Sequence, residues 1–286
     1  MGSKVFDDIV YIREKYSKFI SFDSQFLDNK GWVFLDDKER SILNKIKGVE
    51  LNCICESFQG IITGCDAAFI ISKEEAEELN IEADIIKPWI KNKNIDSFKV
   101  KETQELIIYS DLIENEEEYK NALNYISKHR EILEKRRECI RGVRKWYQLQ
   151  WGRKEYIFQE KKIVYPFKAS KNRFAIDEGS YFSADVYIIK LRDMFIDKIS
   201  YEFLAGVLNS SIYEFYIKTM AKKLGDELYE YYPNKVMTLK IPEYIKEIEE
   251  EVLKGGEDIK ERVDNILLRY FNITQDEYDV IKTWCY

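Results

Sequence analysis

Residues 51–72, LNCICESFQGIITGCDAAFIIS, decide the fold class. Short apolar, β-branched stretches are punctuated there by Gly60 and Gly64, a pattern that suits two or three strands with tight connections. The chain before this stretch reads as helical. Val5, Ile9, Ile12, Tyr16 and Phe19/Ile20 recur three or four apart over residues 4–20, an aromatic segment with the turn Asn29-Lys30-Gly31 follows, and Asp36-Asp37 opens a second helix that runs through Ile46 to Gly48. Beyond Ser72 the signals alternate. Residues 73–79 read as a short acidic helix, 83–95 as strand or loop because Pro88 limits helix there, and 105–111 as a strand. Residues 116–141 read as one long helix. The stretches 156–158, 162–166, 173–176 and 185–189 read as strands. Residues 199–220 are apolar and helical with an interruption near Asn209-Ser210-Ser211, and from Pro242 onward two or three amphipathic helices break at Gly255-Gly256. The expected fold is therefore α+β: a mixed, mostly antiparallel sheet with flanking helices and a C-terminal helical segment.

The charge distribution is uneven. Residues 135–173 hold thirteen Lys or Arg against Glu138, Glu155 and Glu160, a net charge of +10, whereas the other 247 residues hold 32 basic and 49 acidic groups, a net charge of −17. An acidic chain that gathers its positive charge into one aromatic-rich island points to a polyanionic partner. Residues 135–141 also read as a solvated helix face, since Glu131, Glu134 and Glu138 lie three or four residues from basic partners.

Familiar reaction centres are missing. The single histidine, His129, sits in a Lys- and Arg-rich helix, which argues against a Ser–His or Cys–His hydrolase. No GxxxxGK[ST] or GxGxxG motif occurs, and Gly60-x-x-x-Gly64 reads as turn glycines. The five cysteines are oddly spaced and Cys53-x-Cys55 lacks a matching second pair, so no zinc set is assembled and a reducing, cytoplasmic setting is expected. No apolar run is long enough to span a bilayer. Met1-Gly2-Ser3 reads equally as a cloning scar or a native start.

Six phrases in order carry a resemblance: SFQGIITGCDAAFIIS, IIKPWIKNKNI, RKWYQLQWGR, KKIVYPFKASKNRFAID, YFSADVYIIKL and FLAGVLNSSIYEFYIKTMAKKLGDELYEYYPNKVMTLKIP. Together they resemble the target-recognition domain of TaqI-like adenine DNA methyltransferases and type IIG restriction–modification enzymes, over roughly residues 40–243. The resemblance implies a sequence-specific binder of double-stranded DNA that works beside the methyltransferase domain of the same parent enzyme. It implies no catalytic residue, metal or cofactor in this chain, and S-adenosylmethionine only in an upstream catalytic domain. It also implies a helical connector at 1–48, a recognition domain at 49–242 and a helical segment at 243–286.

On this reading Arg144, Lys145, Arg153, Lys154 and Lys168 are the candidates for phosphate contact. Gln59, Asn92, Lys93, Gln150, Lys171, Asn172 and Arg173 are the candidates for base reading. Trp146 and Trp151 read as core rather than as stacking surfaces. Two other readings stand beside this one: an assembly subunit whose basic face meets an acidic protein, and a metal-dependent nuclease built on Glu160-x-Lys162. If Arg173 reads a guanine, Arg173→Ala weakens binding to the specific site by about 1–3 kcal/mol. Equal loss on all duplexes in an anisotropy titration would make it a phosphate contact instead.

Overall fold

Strand Lys162–Pro166 is buried along its whole length, and it explains the architecture. The computed structural model describes residues 35–225 and 227–285; the helix expected at 4–20 and the aromatic segment after it lie outside these. Lys162–Pro166 sits inside a four-stranded antiparallel sheet. Val186–Leu191 lies between it and the edge strand Cys55–Gln59, and Ala175–Asp177 lies on its other side. Successive side chains of a strand point to opposite faces. Ile163, Tyr165, Ile189, Leu191 and Cys55 therefore face one core, while Val164, Ala175, Val186 and Ile188 face another.

The first core is helical. Helices Tyr201–Asn209, Ser211–Met220, Lys246–Lys254 and Ile259–Tyr270 contribute Phe203, Leu204, Phe215, Ile248 and Leu267 to it, and Ile42 of helix Asp37–Lys45 joins from the other end of the chain. The segment after Pro242 thus shares one core with the central sheet. The second core lies against another four-stranded sheet, ordered Ile70–Ser72, Glu105–Ile108, Ile86–Ile90, Tyr181–Phe182, in which only the last pairing is parallel. Lys162 is fully buried between the layers and pairs with Asp177, its register partner, at 2.8 Å. Burial pulls the lysine below its ordinary pKa, and Asp177 opposes this.

The α+β class and the mostly antiparallel pairing are as the sequence predicts, and several local readings change. The helix expected over 116–141 is split into Lys120–Ser127, Arg130–Glu134 and Arg137–Ile140. Arg136 is extended at the last break because its guanidinium turns inward onto backbone carbonyls. Residues 156–158 fall in a helical turn, Tyr156–Gln159, instead of a strand. Leu51–Ile54 is also a helical turn, held by Leu51 and Asn52 N–H groups donating to Leu239 and Met237 carbonyls.

The interruption at Asn209 is structural. The fully buried Asn209 amide accepts from the Phe174 N–H at 3.0 Å and donates to the Phe174 carbonyl at 2.7 Å and the Ala205 carbonyl at 2.9 Å. Two residues before Phe174, Asn172 donates to the Leu208 carbonyl at 2.5 Å. Asn209→Ala leaves the Phe174 amide buried without a partner, and its expected cost is about 3 kcal/mol. Urea unfolding monitored by circular dichroism measures this.

Candidate nucleic-acid interface

Three loops meet at the edge strand. After Gln59 the chain passes so close to another strand that a Cβ on Gly60 would lie 2.1 Å from the Ser183 carbonyl oxygen, so only glycine fits. Ile62 then pairs with Trp151 in both directions, N–H to carbonyl, at 3.1 and 2.9 Å. Arg136 fastens the same loops: it donates to the carbonyls of Leu133 (3.1 Å), Thr63 (3.1 Å), Trp146 (2.8 Å) and Gln148 (2.8 Å). Asp111 accepts from Arg144 at 2.9 Å and from the Leu149 N–H at 3.1 Å. A Cβ on Gly152 would lie 2.3 Å from the Asp111 carboxylate. Burial raises the Asp111 pKa, opposed by Arg144 and by these hydrogen bonds.

These loops enclose an open cleft of about 470 Å³ lined by Phe58, Arg144, Trp151, Arg153, Lys154, Tyr156 and Ile157. Among the described residues three cations and three aromatic rings line it, and no carboxylate does. Trp151 is 41% exposed and Tyr156 45% exposed. The expectation that Trp151 is core is therefore overturned: its backbone is tied to Ile62, and its ring is left facing the cleft. Trp146 is half-buried, with the Arg130 guanidinium 4.8 Å from its ring centroid. Arg153 adopts a left-handed conformation (φ 68°) unusual outside glycine, which turns its guanidinium back onto the Gly60 carbonyl and the Gln59 amide oxygen, both at 3.1 Å. Lys154 is exposed and has no ion-pair partner among the described residues.

A continuous network leads from the cleft to a second basic cluster. Gln59 donates to the Ala184 carbonyl at 3.1 Å. Next to it, Asp185 accepts from the Asn92 N–H at 3.3 Å. Asn92 in turn donates to the Lys168 carbonyl at 3.1 Å and accepts from Arg173 at 2.6 Å. Arg173 also donates to the carbonyls of Asn92 (3.3 Å) and Ile95 (3.1 Å). Burial lowers the pKa of both Arg153 and Arg173, so each has already given up part of its hydration in the fold.

Gln59, Asn92, Arg153, Lys168 and Arg173 are thus brought together. The other candidates are placed differently. Asn172 is 2% exposed, and its amide donates to the Leu208 carbonyl and accepts from the Tyr231 hydroxyl, so burial keeps it from base edges in this conformation and it acts as a scaffold residue. Arg173 holds the 92–95 turn with its donors, a role the sequence did not disclose. Lys93 and Lys145 are exposed beside Glu105 (3.5 Å) and Glu116 (3.3 Å). Gln150 donates to Glu138 at 3.3 Å, and Lys171 is exposed. The alternation in Trp151-x-Arg153-Lys154-x-Tyr156 was the sequence signal for the cleft, and the acids Asp111 and Asp185 that organise it gave none. In the nuclease reading Lys162 would have to reach a phosphate, yet it is 0% exposed while Glu160 points outward to Lys190. Among the described residues no group of three or more His, Cys, Asp or Glu is placed to hold a metal ion, and no helix is long and apolar enough to cross a membrane.

The profile of the TaqI-like C-terminal specificity domain matches residues 87–241. The type II methyltransferase M.BstVI of Geobacillus stearothermophilus is 22% identical over 283 residues, 94% of this chain and 49% of that protein. The type II methyltransferase M.MjaIV of Methanocaldococcus jannaschii is 27% identical over 242 residues, 76% of this chain and 78% of that protein. The fold is shared with the type IIL restriction–modification enzyme MmeI, solved in complex with DNA, at a TM-score of 0.62 and 10% identity over 82% of this chain and 36% of that one. The type IIG restriction endonuclease BpuSI gives a TM-score of 0.56 and 15% identity over 87% of this chain and 32% of that one. The chain therefore spans about half the length of M.BstVI.

Asp111→Ala removes the acceptor shared by Arg144 and the Leu149 N–H. It is expected to lower stability by about 2 kcal/mol. In hydrogen exchange, protection should be lost over residues 144–153 before the rest of the fold.

Proposed function

The chain belongs to the TaqI-like C-terminal specificity domain family, and from that premise we propose that it recognises a target sequence in double-stranded DNA. The parent would be a modification or restriction–modification enzyme, of the N6-adenine, type IIG-like kind. The observation that carries this reading is the cleft in which Arg144, Arg153 and Lys154 surround the exposed rings of Trp151 and Tyr156, with no acid in the lining among the described residues. Cations on such a surface release counterions from phosphates, and aromatic faces pack on sugar or base.

The division of labour follows from which donors remain available. Lys154, Lys168 and Lys171 contact phosphate and set the register. The Gln59–Arg153 pair, held in place before DNA arrives, offers its remaining hydrogen-bonding groups to base edges. Residues 49–242 form the recognition unit, with 1–48 as connector and 243–286 as helical cover. The methyltransferase domain of the same parent supplies the reacting groups and binds S-adenosylmethionine, and this chain contributes no catalytic group. The names of the curated relatives, type II methyltransferases, support that assignment.

Fluorescence anisotropy with a labelled duplex, titrated between roughly 50 and 200 mM salt, tests the proposal. The double variant Lys154→Ala/Lys171→Ala should bind all duplexes more weakly and lower the salt slope by about 2, with unchanged thermal stability. Gln59→Ala should instead reduce discrimination between duplexes. Absence of duplex binding even at the lowest salt would overturn the reading.

A further inference from the structure

Beside the cleft, residues 137–143 form a projecting turn whose composition is unusual for a surface. Ile140 is 73% exposed and Val143 64% exposed. Between them Gly142 is left-handed (φ 69°), and an added Cβ there would meet nothing within 4 Å among the described residues. Arg137 precedes the apolar pair and Arg141 lies between its two members; both are exposed and have no ion-pair partner among the described residues. The one acid of the turn, Glu138, faces back into the protein: its carboxylate accepts from Gln150 at 3.3 Å, and its carbonyl accepts from the Val143 and Arg144 N–H groups at 2.9 and 3.2 Å. Arg136 fixes the base of the turn through its bonds to backbone carbonyls. The turn is therefore held in shape, with two branched apolar side chains bare at its tip.

We propose that this tip enters a groove of the bound duplex. Ile140 and Val143 pack there on apolar base edges while Arg137 and Arg141 take neighbouring phosphates. The inference rests on the DNA-binding reading above. Charge selects the occupant: Arg137 and Arg141, unpaired among the described residues, extend the cationic lining that begins at Arg144, and a duplex offers that continuous positive strip phosphates together with apolar base edges such as the thymine methyl. Position agrees, because Arg144, the next residue after the tip, lines the cationic cleft.

The two kinds of contact respond differently to salt. Ile140→Ser/Val143→Ser in the full chain should weaken duplex binding by about tenfold at every salt concentration and leave the salt slope unchanged. Arg137→Ala/Arg141→Ala should lower the slope by about 2. Both variants alter exposed side chains, so thermal unfolding should match the parent chain and serves as the folding control. A photo-crosslinking amino acid at position 140 should label the duplex. If the parent chain binds duplex and the Ile140→Ser/Val143→Ser variant binds equally well, the tip proposal is overturned and the cleft stands. Crosslinking of position 140 to protein in place of DNA overturns it too. If the parent binds no duplex, the DNA reading itself falls and takes the tip with it.

Discussion

The reciprocal pairing between the Asn209 amide and the backbone of Phe174 is the constraint on which the rest of the interface depends. A side-chain amide carries one donor side and one acceptor side, so it can close against a peptide group as a neighbouring strand would. Here it does so from the end of a buried helix. The loop at 168–174 is thereby fixed to the helical core. Asn172, bonded to the Leu208 carbonyl and the Tyr231 hydroxyl, adds a second attachment in the same loop. Arg173 lies between these two anchors and has no freedom in where it points. Its guanidinium is delivered to the Asn92–Ile95 turn, and through Asn92 and Asp185 the same order reaches the cleft.

The basic island consequently divides by solvation. Arg136, Arg144, Arg153 and Arg173 are each held in the fold by bonds to carbonyls, Asp111 or side-chain amides. Lysines such as Lys154 and Lys171 remain in water. Guanidinium suits the first role because its planar fork can satisfy several acceptors at once and it is less strongly hydrated than ammonium. A compact ammonium on a flexible stem suits the second, since a phosphate contact needs charge more than angle.

What the sequence disclosed follows the same division. Strand Lys162–Pro166 was legible because a short run of β-branched and aromatic residues ended by proline is a local signal, and the helix break at Asn209 because Asn-Ser-Ser is a local cap signal: Ser210 accepts from the Tyr213 N–H and so opens the next helix. The split of the helix over 116–141 was not legible. Its cause, Arg136 bonded to the Thr63 carbonyl, spans more than seventy residues of chain. Trp151 was misjudged for a related reason. Composition favours tryptophan in a core, and only the long-range pairing of its backbone with Ile62 shows that the ring faces outward. Asn172 looked like a base reader beside Arg173, and burial shows it to be a fastener.

The anchors that shape this surface hold main chain far more than side chain. Arg136 grips four carbonyls, Asn209 grips the peptide groups of Phe174, and Ile62 and Trp151 meet through their backbones. A carbonyl is the same acceptor whichever residue bears it. The side chains at the loop tips can therefore be exchanged without loosening the frame that presents them. Such a frame permits a lineage to change what it reads one residue at a time, each intermediate remaining folded.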